Sequence, residues 1–521
     1  MRNFILIHVL LFLVVAVFSM TAWPYGLLSV AQLVFIPILL RLAYTDRDWF
    51  WKYYPYFAIP AYVAVMLEQL ISTSWEGLLA TIYLFFTLFV AIYGVTRFLH
   101  RGFTHLEEFA IEMGLIYLAM GGGWYFAFIS GIDLGFSPLL TWLTAIHFHY
   151  SAFILPFFVG FLGRLHTSRL YRSSTVTLLA APMVVAVGIT FSRWIEVGAV
   201  LLYVYGLGGI IWIAWHLRFT SWVQKWLVRI SFTALAVTIS FSMLYVLSNG
   251  FGLFSVTIDF MLRFHGVLNC VVFALLGIIG WSLAVPTPRF RPLDFPVSRI
   301  RGRKVANEIG EVGKHRGLSD DMMAYGLELS TLSPQILDFY ENTIEYRLRA
   351  SVHWHHWFKP FAFLYSVISR RMQQINLPMR NEEVEMTGSI YTIHDGLDGR
   401  ENVRAWERKV KEETIFTALY SQHHTNERLY MNIALPLPFT TMTGILELRA
   451  TGKNLQLTSK RTEPASDAGV YLSIGSKELF KLPLQEDFFI EDEGNGFLQA
   501  THRMWIFSIP FLRINYVIDH Y

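Results

Sequence analysis

The chain has 521 residues, 54% of them hydrophobic and only 16% charged, against about a quarter charged in ordinary globular domains. A formal net charge of +3 argues against a nucleic-acid partner. The single cysteine, Cys270, leaves no disulfide framework or thiolate metal site and reads as a small packing residue.

These averages hide a division near residue 290. Upstream lie apolar runs of roughly 18–28 residues, the length of a helix that crosses a bilayer. Ten such segments can be marked: 4–21, 25–43, 54–72, 77–97, 107–130, 137–163, 174–192, 194–217, 226–248 and 259–283. The first could pass for a secretory signal, but its cleavage pattern is poor and membrane segments follow at once, so it reads as the first transmembrane helix.

Basic residues accumulate on alternate connections: Arg41, Arg47 and Lys52; Arg97 and Arg101; Arg164, Arg169 and Arg172; Arg218, Lys225 and Arg229. Arg2 and the tail's Arg289, Arg291, Arg299, Arg301, Arg303 and Lys304 fall on the same side, whereas the opposite connections carry only Arg193. Lys and Arg favour the cytoplasmic side, so both termini are expected to be cytoplasmic in a cell-membrane protein. The basic, Pro-rich stretch RFRPLDFPVSRIRGRK is expected on the anionic inner leaflet.

Three regions follow: a transmembrane helical domain over 1–290, a basic linker with a helical or interfacial segment over 291–383, and a β-rich cytoplasmic domain over 384–521. Residues 319–376 read as mixed and mostly helical. The aromatic run SVHWHHWFKPFAFLYSVISRRMQQ reads as an interfacial segment or the lid of the next domain. Beyond it the hydrophobic period becomes two. In FLQATHRMWI, Leu498, Ala500, His502, Met504 and Ile506 share one face. Seven or so such runs, broken by Gly, Pro, Asn and Asp, predict an antiparallel, barrel-like sheet. The predicted fold class is therefore an α-helical polytopic membrane bundle of about ten helices with a C-terminal cytoplasmic α+β, β-rich domain.

Ionisable groups inside membrane segments are costly and count as functional candidates. The sixth segment carries HFHY, with His147, His149 and Tyr150, and the tenth carries HGVLN, with His265 and Asn269. Residues i and i+2 of a helix point about 200° apart, so His147 and His149 address two sites rather than one metal ion. Interhelical hydrogen bonding, haem or metal ligation, and a proton or substrate role all remain open for them. His265 and Asn269, four apart, share a helical face. Glu68 and Glu196 lie toward the outer ends of their helices and could join an outward-opening polar pocket, whereas Glu112 lies nearer the inner end. His353, His355 and His356 read as interfacial packing, and no metal site is assigned. Phosphate-loop, dinucleotide, serine-elbow and zincin motifs are absent from the sequence.

HFHY resembles, over four residues, the haem-ligating helix of haem–copper oxidase subunit one, which implies haem as a candidate cofactor. HFHY in the sixth segment, HG-x-x-N followed by GIIGW in the tenth, and the membrane–tail order together resemble the bacterial YndJ-like membrane protein family. That resemblance implies a location without an activity. Three functions are carried forward. The first is a small-molecule binding or transport module with a ligand- or lipid-binding β domain. The second is a haem or metal membrane protein, and the third a membrane-anchored scaffold. The expected partners are the lipid bilayer and a small-molecule or lipid ligand.

Overall fold

A computed structural model describes every residue except 1, 20, 44–48, 254, 290–294, 303–309, 313–314, 327–329, 373, 412, 426, 462, 464–465 and 475–477, with the backbone alone at 104, 249, 310–312, 368, 370–372 and 478. Arg47, Arg291, Arg303 and Lys304, counted above among the cytoplasmic charges, thus lie outside the described residues. The chain forms two compact units, Met1–Phe98 with His105–Phe290, and Leu99–Thr104 with Arg291–Tyr521.

The first unit is helical. Among the described residues, all ten apolar segments form helices: α1 (Arg2–Phe18), α2 (Tyr25–Leu42), α3 (Trp49–Leu70), α4 (Glu76–Arg101), α5 (Leu106–Ile129), α6 (Pro138–Leu165), α7 (Arg169–Phe191), α8 (Arg193–His216), α9 (Trp222–Phe251) and α10 (Ile258–Leu283). Seven of them are long and apolar enough to cross a membrane; α1, α3 and α5 are not among these. Ten spans are expected from sequence, and the three helices outside the seven have features that lower their length or hydropathy. α1 has 17 residues, and α3 is diluted by tyrosines, Lys52, Pro55 and Pro60. α5 carries three glutamates and a triple glycine.

Three helices contain π-helical turns. Those at Ala31–Phe35 and Tyr150–Ile154 immediately precede Pro37 and Pro156. Proline lacks an N–H and clashes with the carbonyl four residues back, and a widened turn accommodates it. In α10, Met261–Gly266 and Leu268–Leu275 are π-helical around the HGVLN motif. Small residues bring the helices close. A Cβ at Gly121 of α5 would stand 2.8 Å from Nδ1 of His149 on α6.

The second unit is built on strands β1 (Gly310–Val312), β2 (Tyr346–Trp354), β3 (Glu383–Ile393), β4 (Arg404–Val410), β5 (Glu413–Thr425), β6 (Arg428–Leu437), β7 (Thr440–Thr451), β8 (Asn454–Thr458), β9 (Gly469–Ile474), β10 (Glu478–Lys481), β11 (Leu484–Asp492), β12 (Phe497–Ile506) and β13 (Ile509–His520). Antiparallel ladders run β2-β3-β4-β5-β6-β7-β8-β11-β12-β13 and return to β2, which closes a barrel. β7 divides: its first half pairs with β9 and its second with β8. Closure removes the edges of the ten ring strands, and the β9–β10 hairpin and β1 branch from the ring. Of the two alternating faces of β12, the one with Leu498 and Ala500 buried and His502 and Met504 on the lumen is the inner one.

Two expectations for this unit need correction. Tyr346–Trp354, read as part of a mostly helical stretch, is a barrel strand with alternating burial; its inward Tyr346, Leu348, Ala350, Val352 and Trp354 are separated by Arg and His that disguised the period. Only Lys359–Met372 (α12) of the aromatic run is α-helical, after a single 3₁₀ turn at His356–Phe358. The described part of the basic stretch after α10 packs in part on the strands. Phe295 packs on Tyr471 and His423, Ile300 is buried, and Arg301 bonds to Ser473.

Candidate functional site

The seven candidate side chains fall in several places. His147 and His265 come together across α6 and α10, ring centroids 6.3 Å apart. Nδ1 of His265 lies 3.0 Å from the Thr238 carbonyl oxygen, and Nδ2 of Asn269 lies 3.1 Å from its Nε2. Asn269 can only donate there, which makes Nδ1 of His265 the protonated nitrogen. His147 is exposed and donates from Nδ1 to the Leu143 carbonyl of its own helix at 2.6 Å. Oδ1 of Asn269 is buried with no hydrogen-bond partner among the described residues.

His149 leaves the other side of α6 and is fully buried. Nδ1 donates to the Ala145 carbonyl at 2.7 Å, and Nε2 accepts from the Tyr83 hydroxyl at 2.8 Å. Tyr83 also packs edge-on to Tyr125, whose hydroxyl donates to Glu68 at 3.1 Å. Glu68 borders a small cavity with Gln32, Gln69 and Trp142, with room for about one water. Tyr150 donates to the Leu27 carbonyl at 2.7 Å. Glu196 stands apart, paired with Arg193 at 2.7 Å.

This placement bears on haem. An axial ligand needs a ring nitrogen free to bind iron, and both nitrogens of His149 and of His265 are already engaged. The residues therefore do not fit the oxidase-like arrangement that HFHY implied. Among the described residues, no group of three or more His, Cys, Asp or Glu side chains is arranged to hold a metal ion.

Two features escaped the sequence reading. The first is a buried charge cluster. Glu108 takes Nε of Arg164 at 2.6 Å and Nη2 at 2.9 Å, and Nη2 of Arg97 at 3.1 Å. Arg164 also donates to the Pro286 carbonyl, and Arg97 to the Ala43 carbonyl. Arg97, Arg164 and Arg229 had been counted as loop charges. All three are buried, and Arg229 is held by the Ala214 and Leu217 carbonyls.

The second is the barrel lumen, a cavity of about 140 Å³. Its wall is largely apolar, with Phe416, Ala418, Met431, Leu446, Phe488 and Ile514 among the lining residues. The polar lining groups are Arg408, Tyr420, Tyr516, Glu486 and His502, with Tyr340 of the helix Pro334–Glu341 (α11) also on the wall. His502 lies 3.1 Å from Glu486. Gly444 makes room for that carboxylate, since a Cβ there would meet Oε1 of Glu486. Arg408 stacks on Phe416 and Trp406, 3.5 and 4.4 Å from their ring centroids. The signal for this site was legible only as alternation: Trp406 and Arg408, two apart on β4, share the inner face.

A family model described as YndJ-like protein matches residues 26–273. A curated relative from Bacillus subtilis (strain 168), named "Uncharacterized membrane protein YndJ", is 39% identical over 477 residues, covering 88% of this chain and 86% of the relative. No solved structure matches the chain significantly. With seven helices fit to cross a bilayer and this relative extending over most of its length, the chain belongs to the YndJ-like family of membrane proteins.

Proposed function

We propose that this protein is a membrane-anchored binding protein for an apolar small molecule, with the barrel as its binding module. The observation that carries this reading is the lumen, an apolar-walled cavity of about 140 Å³ inside a closed sheet. That volume is roughly ten times the smallest cavity that holds one water. Well-packed interiors avoid such voids. The test uses the full chain in lipid nanodiscs, titrated with 1-decanol in a calorimeter. Saturable heat is expected, and Ala418→Trp, which plugs the lumen, should abolish it. Met431→Trp replaces that variant if it does not fold. Equal heats from native and plugged protein would overturn the proposal.

The same reading has the chain crossing the membrane ten times with both termini and the barrel cytoplasmic, supported by the distribution of Lys and Arg. The exposed Phe361, Phe363, Leu364 and Val367 of α12 support its role as an interfacial helix. Cys270 is buried, so Lys453→Cys gives a clean label in intact cells. Labelling by an impermeant reagent from outside would sink this topology.

A second reading is favoured by one observation, the accessible His147 beside His265 and Asn269. In it, the helical unit takes a small polar ligand that donates a hydrogen bond to His147.

A further inference from the structure

The lumen holds a cation, Arg408, that meets no carboxylate at ion-pair distance among the described residues. The Arg408 guanidinium is pinned between two aromatic rings, and its Nε is buried with no hydrogen-bond partner among the described residues. The Tyr420 and Tyr516 hydroxyls accept hydrogen bonds from the guanidinium. Glu486, the carboxylate among the lining residues, is bonded to His502, and among the described residues no carboxylate is in ion-pair contact with Arg408. Arg408 is half-buried, and withdrawing a charge from water without a counter-ion is costly. Cation–π stacking and the two hydroxyls offset part of that cost, but neither supplies the carboxylate that the guanidinium fork matches. The rest of the wall is apolar, so a ligand that meets both demands carries an anionic head and a hydrocarbon chain.

We infer that the lumen takes a single-chain aliphatic carboxylate, its head bound by Arg408 with Tyr420 and Tyr516 and its chain lying along Phe416, Met431, Leu446 and Ile514. This rests on the reading of the barrel as an apolar-ligand site. A cavity of about 140 Å³ holds on the order of ten water-sized groups, which suits a chain of about eight to twelve carbons.

Decanoate and 1-decanol separate the head from the chain. Both are titrated into the full-chain protein in nanodiscs at about pH 8, where the acid is ionised, with the plugged Ala418→Trp protein as blank. Decanoate should bind about tenfold to a hundredfold more tightly than decanol, the worth of a charge-assisted hydrogen bond. In Arg408→Gln that preference should collapse while decanol still binds, and Arg408→Lys should keep part of it. If Arg408→Gln does not fold, the native decanoate-to-decanol ratio decides alone. Equal affinities in the native protein overturn the carboxylate inference and leave the apolar-ligand reading standing. No heat from either compound above the plugged blank overturns both.

Discussion

Two arginine sites, one in each unit, hold their cations in different ways. In the helical unit, Arg97 and Arg164 converge on one carboxylate, Glu108, and spend further donors on backbone carbonyls. In the barrel, Arg408 is held by ring faces and has no carboxylate in ion-pair contact among the described residues. A charge answered at close range by its own chain is a fastening between helices α4, α5 and α6. Arg408, half-buried against ring faces, is the group that the inferred carboxylate ligand would answer. The partners distinguish the two sites.

The largest expected effect comes from breaking the fastening. Glu108→Gln would leave Arg164 facing a neutral amide and Arg97 with Glu112 alone, 4.0 Å away, a loss of about 3–5 kcal/mol for removing one member of a buried ion pair. Thermal unfolding of the detergent-solubilised protein measures it. Arg408→Met is the counterpart: it removes a cation with no ion-pair partner among the described residues, so without ligand it should be neutral or stabilising. A loss at Arg408 as large as that at Glu108 would erase the contrast between the two sites.

Lys481 sharpens the comparison, because it is a buried cation that can discharge. Its ammonium donates to the Ala468 carbonyl and lies 5.5 Å from the Tyr471 ring centre. Burial, helped by Arg461 and opposed by Asp467, lowers its pKa from 10.5 to about 7. The folded state then binds fewer protons than the unfolded chain between those values, so stability rises with pH across that window, by at most about 1.4 kcal/mol per unit. Below about pH 7 the ammonium is charged in both states and its burial cost is borne in full. Unfolding followed from pH 7 to 9 should show the rise, and Lys481→Met should flatten it. An unchanged slope in the variant would place the proton elsewhere.

What the sequence made legible follows the same physics. The inward face of β12 was readable because Leu498, Ala500, His502 and Met504 alternate without interruption. β2 was not, because its outward positions carry Arg347, Arg349 and His353 beside an aromatic cluster. His147, His265 and Asn269 stood out as polar groups in apolar helices, but which helices are neighbours is a tertiary fact that one sequence does not hold. The burial of Arg97 and Arg164 was hidden for a related reason. The rule that assigns Lys and Arg to cytoplasmic ends gives a side of the membrane and says nothing of a glutamate on a neighbouring helix that pairs with them. Arg408 lies in RAWERKV, where three neighbouring charges gave no hint that one of them faces a lumen.

The smallest expected effects test the same distinction inside one helix. His149 and His147 are two residues apart on α6 and leave opposite sides of it. His149 is tied across to α4 through the Tyr83 hydroxyl, whereas the bond of His147 stays within its own helix. Tyr83→Phe deletes only that hydroxyl and should lower thermal stability by about 0.6 kcal/mol, and at most about 1.7, the range for interhelical hydrogen bonds in membranes. His147→Ala removes an exposed ring with no interhelical bond and should stay within about 0.5 kcal/mol of the native protein. If His147→Ala cost as much as Tyr83→Phe, His147 would be a second fastening, and the small-ligand reading of the His147–His265 pair would lose the free side chain on which it depends.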